Sequence, residues 1–172
     1  MTTLEIFTAL QAALQAIMLP AAGVSDEPLF EAVELYPNKR LGEALQSLLV
    51  TKKRVCLIVP TGVQRDLTDQ RGALSVLGHK RAEVAIIYSD QAYFKSEQRV
   101  SFGADKNLGL FAFDELIEAA ITAKALSPYG GVVLGDSAPL LLSDTEQKTA
   151  PGRNAWLIEA LIPIGIIAAA VG

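Results

Sequence analysis

The clearest hydrophobic pattern in the chain is an amphipathic stripe near its start. Apolar side chains recur at helical intervals over residues 4–18, and Thr2 and Glu5 have the spacing of a capping box. Pro20 and Gly23 follow the stripe and are typical of a helix end. The pattern predicts an N-terminal helix that packs its apolar face on a sheet.

A second stripe of this kind lies in the C-terminal half of the chain. Its apolar positions follow the i, i+3, i+4, i+7 and i+8 spacing of a half-buried helix: Phe113, Leu116, Ile117, Ala120 and Ile121. Residues 127–131, with the sequence Ser-Pro-Tyr-Gly-Gly, would end this helix. A shorter stripe at residues 41–49 predicts one further helix.

The remaining apolar runs have the length of strands and are bounded by turn-forming residues. They predict strands at residues 29–36, 55–59, 73–77, 80–88, 132–134, 139–142 and 155–162. Residues 60–62 (Pro-Thr-Gly) and 135–136 (Gly-Asp) predict turns, and residues 78–79 (Gly-His) predict a tight turn or a bulge. Polar stretches at residues 62–72, 89–106 and 143–154 predict loops.

Two of these strands alternate clearly enough to assign a buried face. That face would carry Ala82, Val84, Ile86 and Tyr88 in one strand and Trp156, Ile158, Ala160 and Ile162 in the other. Arg81 and Glu83 mark the opposite face of the first strand, which we therefore expect to be half exposed.

The elements do not follow a regular strand–helix alternation. Their order favours an α+β fold, in which the N-terminal helix and the second amphipathic helix pack on a mixed or antiparallel sheet. The 172 residues suit one domain covering residues 1–172. Residues 160–172 carry no charge but are fewer than the roughly 18–20 that span a bilayer, so we expect the last strand and then a C-terminal arm from residue 163, rather than a membrane anchor.

The composition indicates a folded protein and argues against a nucleic-acid partner. Hydrophobic residues make up 51% and charged residues 20% of the chain, and the formal net charge is −4. Nucleic-acid binding needs a basic patch, whereas basic residues cluster here only at 52–54 (Lys-Lys-Arg) and 79–81 (His-Lys-Arg). Each triplet leads into a predicted strand, where charge keeps a sheet edge soluble.

The chemically reactive residue types are few. Cys56 is the single cysteine and lies in an apolar run, so we interpret it as a core thiol. With His79 as the single histidine, a zinc site of nitrogen and sulfur ligands is not expected. Residues 105–109 open like a calcium loop, but Leu116 stands where the bidentate glutamate would be needed. Neither phosphate-loop nor dinucleotide-binding spacing occurs. We therefore predict no metal and no cofactor.

Candidate catalytic groups have simpler explanations. Ser137 lies in a Gly-Asp-Ser motif like that of trypsin-like proteases, but nothing places His79 beside it as a base. The carboxylate pairs Asp66/Asp69 and Glu115/Glu118 lie in a predicted loop and beside a helix start, without a recognisable pocket. The sequence thus predicts no catalytic residues and a protein that is not an enzyme.

The order of elements resembles that of the tail terminator, or tail completion, proteins of long-tailed bacteriophages, including those of Mu-type phages. The corresponding stretches are residues 4–18, 54–60, 80–90, 113–125 and 156–162, so the resemblance covers nearly the whole chain. It implies a structural virion protein that forms a ring, usually hexameric, caps the tail tube and joins it to the head connector.

The resemblance also implies the partners and the location. The partners would be further copies of the chain, the tail tube protein and the connector or neck protein, with no membrane and no specific nucleic-acid sequence. The protein would lie in the tail and neck of the virion, and in the host cytoplasm during assembly. The alternative interpretation is a non-enzymatic cellular scaffold or protein-binding module.

Overall fold

In the part of the chain that the structure describes, the architecture is a five-stranded mixed sheet with two helices on one of its faces. The computed structural model describes residues 1–20, 27–36, 52–67, 75–91, 103–104, 107–122, 125–140 and 153–170. The helices are α1 (Thr3–Gln15) and α2 (Leu110–Thr122). The strands are β1 (Ala32–Leu35), β2 (Arg54–Leu67), β3 (Ser75–Gln91), β4 (Gly103–Ala104), β5 (Asn107–Leu108), β6 (Val133–Pro139) and β7 (Arg153–Ala170).

The strand order of the sheet is β1-β2-β3-β7-β6. β1 is parallel to β2, whereas the pairs β2–β3, β3–β7 and β6–β7 are antiparallel. β4 and β5 form a separate antiparallel pair. The predicted α+β class, with a mixed sheet, an N-terminal helix and a second amphipathic helix, is confirmed.

The N-terminal helix begins as its sequence predicts. The Thr2 hydroxyl accepts a hydrogen bond from the Glu5 backbone N–H at 3.3 Å, and the Glu5 carboxylate accepts one from the Thr2 N–H. The middle of the predicted stripe is buried against the sheet, whereas its end residues Leu4 and Met18 are exposed. The Gln11 side-chain amide donates to the Val33 carbonyl of β1 at 2.7 Å. These contacts fix α1 over the β1 side of the sheet.

The second helix packs through aromatic contacts. The Phe113 ring lies 5.7 Å from that of Tyr88 in β3 and 5.9 Å from that of Phe30. The Tyr88 hydroxyl donates to the Leu110 carbonyl at 3.2 Å, so the buried phenol has an acceptor at the start of α2. Ile117 and Ile121 continue the buried stripe, which confirms the predicted helical face.

The turns predicted at residues 60–62 and 135–136 are wrong, and so is the turn alternative at residues 78–79, because these residues lie inside strands. β2 continues through residues 60–62 with a β-bulge between Pro60 and Gly62, and β6 continues through residues 135–136 with a bulge between Leu134 and Ser137. Residues 78–79 pair with β2 on one side and with β7 on the other, so β3 is a single strand of 17 residues. Proline and glycine are common at bulges, where a ladder bond is missing in any case.

Other boundaries also move. β1 is shorter than the predicted strand 29–36, whereas residues 62–67, 89–91 and 153–154 of the predicted loops belong to strands. Residues 163–170, where an arm was expected, continue β7 and pair with residues 75–81 of the same chain. The predicted helix at 41–49 lies outside the described residues, as do residues 68–72, 92–102, 105–106 and 143–152 of the predicted loops.

The sheet buries side chains on both of its faces. The helix-covered face carries the predicted residues of β3 and β7 together with Cys56 and Ile58 of β2. The opposite face carries a smaller buried cluster: Val55, Leu57, Val59, Ala85 and Ile87. We expected one face of β3 to be exposed. This prediction is wrong for the residues after Glu83, where Ala85 and Ile87 are buried on that face, because a strand buried on both faces does not alternate between apolar and polar residues.

The capping box leads to a prediction with a defined pH dependence. Hydrogen bonds from Thr2 lower the pKa of Glu5 from its ordinary value of 4.5. A lowered folded-state pKa stabilises the fold above the unfolded value, and this contribution is lost as the pH falls through the folded value. We expect Glu5→Ala to lower the Tm at pH 7 and to have progressively less effect below pH 4.5.

Thermal unfolding followed by circular dichroism across this pH range checks the capping-box prediction. The matched control is Glu118→Ala, an exposed glutamate within α2. An equal loss of Tm for Glu5→Ala at pH 7 and at pH 3 would contradict the argument.

Phe113 and Phe111 provide a second test, because one helix carries both rings in different environments. Phe113 is almost fully buried and Phe111 is exposed. Phe113→Ala is expected to lower the free energy of unfolding by about 3–5 kcal/mol, as for other buried aromatic rings. Phe111→Ala, as the control, should have a much smaller effect. Urea unfolding measures both, and similar losses would contradict the packing described.

Candidate functional site

A groove of about 560 Å³ opens on the face of the sheet opposite the helices. Its floor belongs to β3 and β7, in which Ala85, Leu157 and Leu161 alternate with residues that face the helices. Val133 of β6 contributes a further apolar side chain. Because Ala85 and Leu157 also pack in the smaller buried cluster, the groove is continuous with that cluster.

Two glutamates project from this floor. In the register of β3 and β7, Glu83 lies opposite Leu161 and Glu159 lies opposite Ala85, so the carboxylates occupy diagonal positions on neighbouring strands. Both side chains are exposed. The described lining contains no lysine or arginine, although Arg81 precedes Glu83 by two residues on the same face. The groove is therefore apolar at its base and acidic at its opening.

Each glutamate lies beside a glycine at a bulge. A Cβ atom at Gly62 of β2 would lie 2.6 Å from Oε2 of Glu83, and one at Gly135 of β6 would lie 3.2 Å from Cβ of Glu159. Both glycines thus leave space that the glutamate side chains use. The two bulges that the sequence presents as turns border the groove from β2 on one side and from β6 on the other.

Three strands continue past the region that β1 and β6 cover. β1 pairs with β2 only at residues 55–58, and β6 pairs with β7 only at residues 156–161. Beyond these limits, residues 62–67 of β2, 75–81 of β3 and 163–170 of β7 form a three-stranded extension. We call these residues the extension.

The extension presents apolar and basic side chains to solvent. Val63 is 44% exposed and Ile166 is 57% exposed. Arg65 lies opposite Lys80, and Lys80 lies opposite Gly165. A Cβ atom at Gly165 would be 3.9 Å from both Cβ and Cδ of Lys80, so the lysine stem lies over this glycine. Among the described residues, no ion pair involves Arg65 or Lys80.

The structure separates the residues that could have formed a protease-like site. Ser137 pairs with Ile158 and donates a hydrogen bond to Asp114 of α2 at 2.6 Å. His79 pairs with Ile166, eight residues further along β7. At the rise of a strand this is roughly 25 Å, too far for a nucleophile and its base.

The other candidate residues are also dispersed. Cys56 is fully buried, as predicted for a core thiol, and burial raises the pKa of its thiol well above the ordinary value. Glu115 and Glu118 lie exposed on α2, whereas Asp69 and Asp105 lie outside the described residues. Within the described ranges, no group of three or more histidine, cysteine, aspartate or glutamate side chains could hold a metal ion.

The two basic triplets differ in their surroundings. Arg54 forms a salt bridge with Glu27 and donates from Nε to the Leu29 carbonyl at 2.7 Å, which ties β2 to the segment before β1. The second triplet lies in the extension, where Lys80 and Arg65 are brought together from different strands. Sequence reasoning missed this pair and the groove, because both depend on strand pairing.

Comparisons with family models and curated proteins do not assign the chain to a family. No family model matches the chain, and no curated protein matches it. Among the helices that the structure describes, none has the length and apolar character needed to cross a membrane.

The burial of Cys56 predicts an unreactive thiol. Because the thiolate is the reactive form and burial disfavours it, a disulfide-exchange reagent should not modify the native protein. We expect modification at one site per chain only after denaturation in guanidinium. Absorbance of the released thiolate measures both states, and rapid native modification would contradict the burial of this strand.

Proposed function

We propose that the protein is a structural component of the neck and tail of a long-tailed bacteriophage. In this proposal it caps the tail tube as a ring of identical subunits, usually six, and joins the tube to the head connector. It would act in the virion after assembly in the host cytoplasm. The proposal is supported by the order of elements, since both amphipathic helices and the central and final strands occur where the resemblance requires them.

The extension is the observation that carries the proposal. Among the described strands, only β3 pairs with residues 62–67 of β2 and with residues 163–170 of β7. Within the described part of the chain, both outer strands of the extension therefore have a backbone edge without a partner strand, and such edges are templates for pairing with another chain. The exposed side chains of Val63 and Ile166 add apolar surface beside these edges.

The two edges favour a head-to-tail assembly. β2 and β7 are both antiparallel to β3, so they run in the same direction but differ in sequence. A contact between the β2 edge of one copy and the β7 edge of the next is heterologous, and repeated heterologous contacts generate a ring when the rotation closes. This geometry suits a cap on a tubular structure.

A cellular scaffold or protein-binding module is the second candidate. The groove favours it, because an apolar floor with a few polar groups is the usual composition of a binding surface. A stable monomer that binds a partner through the groove would distinguish this function from the ring.

The absolute mass of the purified protein, measured by light scattering with negative-stain images of the same fraction, tests the proposal. We expect a closed ring of about six subunits, either alone or on isolated tail tubes of the same phage. Ile166→Lys should abolish the ring, because it places a charge on the exposed apolar surface of the extension.

The matched control is Leu4→Lys, because Leu4 is 69% exposed but lies on α1. This variant should keep the ring. Circular dichroism should show that both variants are folded. A wild-type chain that remains monomeric in solution and also fails to bind tail tubes would overturn the proposed function.

A further inference from the structure

We propose that the groove of one subunit binds the extension of a second copy of this chain, through paired charges of opposite sign. This inference rests on the self-assembly in the proposed function and adds a contact between sheet faces to the pairing of strand edges. It commits to a second copy as the occupant of the groove, because the same chain presents a surface of complementary charge.

The groove and the basic surface lie on opposite faces of the sheet. Val63 of β2 pairs with Ala82 of β3, which in turn pairs with Ile162 of β7. Ala82 and Ile162 face the helices, so Val63 lies on the same face of the sheet. Side chains alternate along a strand, so Arg65 and Lys80, each two residues further on, share that face. Glu83 and Glu159 lie on the other face. A sheet cannot bring its two faces together, so one subunit cannot satisfy both surfaces by itself.

The two surfaces match in charge and in apolar character. The groove offers two exposed carboxylates above an apolar floor, and the extension offers Arg65 and Lys80 beside the exposed side chain of Val63. Within the described part of the chain, none of these four charged side chains takes part in an ion pair. Exposed ion pairs stabilise little individually, so the charges would select the partner while apolar contact supplies affinity.

Opposite faces also determine the symmetry of the contact. Each subunit would donate its extension to one neighbour and receive the extension of another in its groove. Such a contact is heterologous and leads to a closed ring or an open filament, because a dimer held by one such contact would leave one groove and one extension unpaired.

Charge reversal tests the contact in two matched variants. The groove variant carries Glu83→Lys and Glu159→Lys, and the extension variant carries Arg65→Glu and Lys80→Glu. Each variant alone places like charges at every contact, so we expect its self-association to weaken at least about ten-fold, as measured by sedimentation velocity. Wild-type association should also weaken as salt rises.

Mixing provides the decisive measurement. The groove variant keeps its positive extension, which fits the unaltered negative groove of the extension variant. The extension variant has a negative extension, which fits the positive groove of the groove variant. An equimolar mixture should therefore restore assemblies of alternating composition, which native mass spectrometry resolves. Recovery on mixing also shows that both variants are folded.

The control variant carries Glu115→Lys and Glu118→Lys on the exposed surface of α2, with the same change in net charge as the groove variant. It should associate as the wild type does. If assembly requires tail tubes, the same four proteins are compared for tube binding.

Four outcomes would overturn the inference. Normal rings from either reversed variant would place the contact elsewhere and leave the proposed function intact. Folded variants that do not form assemblies again when mixed would have the same meaning. Intact rings of the groove variant that no longer bind tail tubes would assign the groove to the tube protein. A wild type that neither assembles nor binds tubes would overturn both proposals.

Discussion

The rest of the structure depends on the pairing of β3 along both of its edges. This strand pairs with β2 from Gly78 to Asp90 and with β7 from Ser75 to Gln91. Because side chains alternate along a strand, this register decides which residues face the helices and which face the groove. A slip of one residue would move Tyr88 away from Phe113 and Leu110 and would place Glu83 in the core.

The bulges adjust this register without breaking the strands. The bulge at residues 60–62 keeps Val63 opposite Ala82, on the helix-covered face. The glycines at the bulges in β2 and β6 lack side chains where Glu83 and Glu159 lie, so that the groove remains open between the two outer strands. The two bulges therefore shape the groove and also allow β2 and β6 to continue past these residues.

Local periodicity made the helices and the buried strand faces predictable. The stripes of α1 and α2, the capping box at Thr2 and the alternation in β3 and β7 are each visible within about a dozen residues, the range over which such patterns act. The predictions of turns were wrong because glycine and proline occur at bulges as well as at turns. Only the partner strands decide between the two, and these are distant in sequence.

The groove and the extension were not predictable for the same reason. Glu83 and Glu159 are separated by more than 70 residues, and Arg65 meets Lys80 only through the register of β2 and β3. Net charge also conceals their arrangement, because a chain of formal charge −4 can carry a basic surface on one face and an acidic groove on the other. From the sequence alone, the basic triplet at residues 79–81 is explained as charge that keeps a sheet edge soluble. In the folded chain it adjoins Arg65, and this proximity arises only from the pairing of β2 with β3.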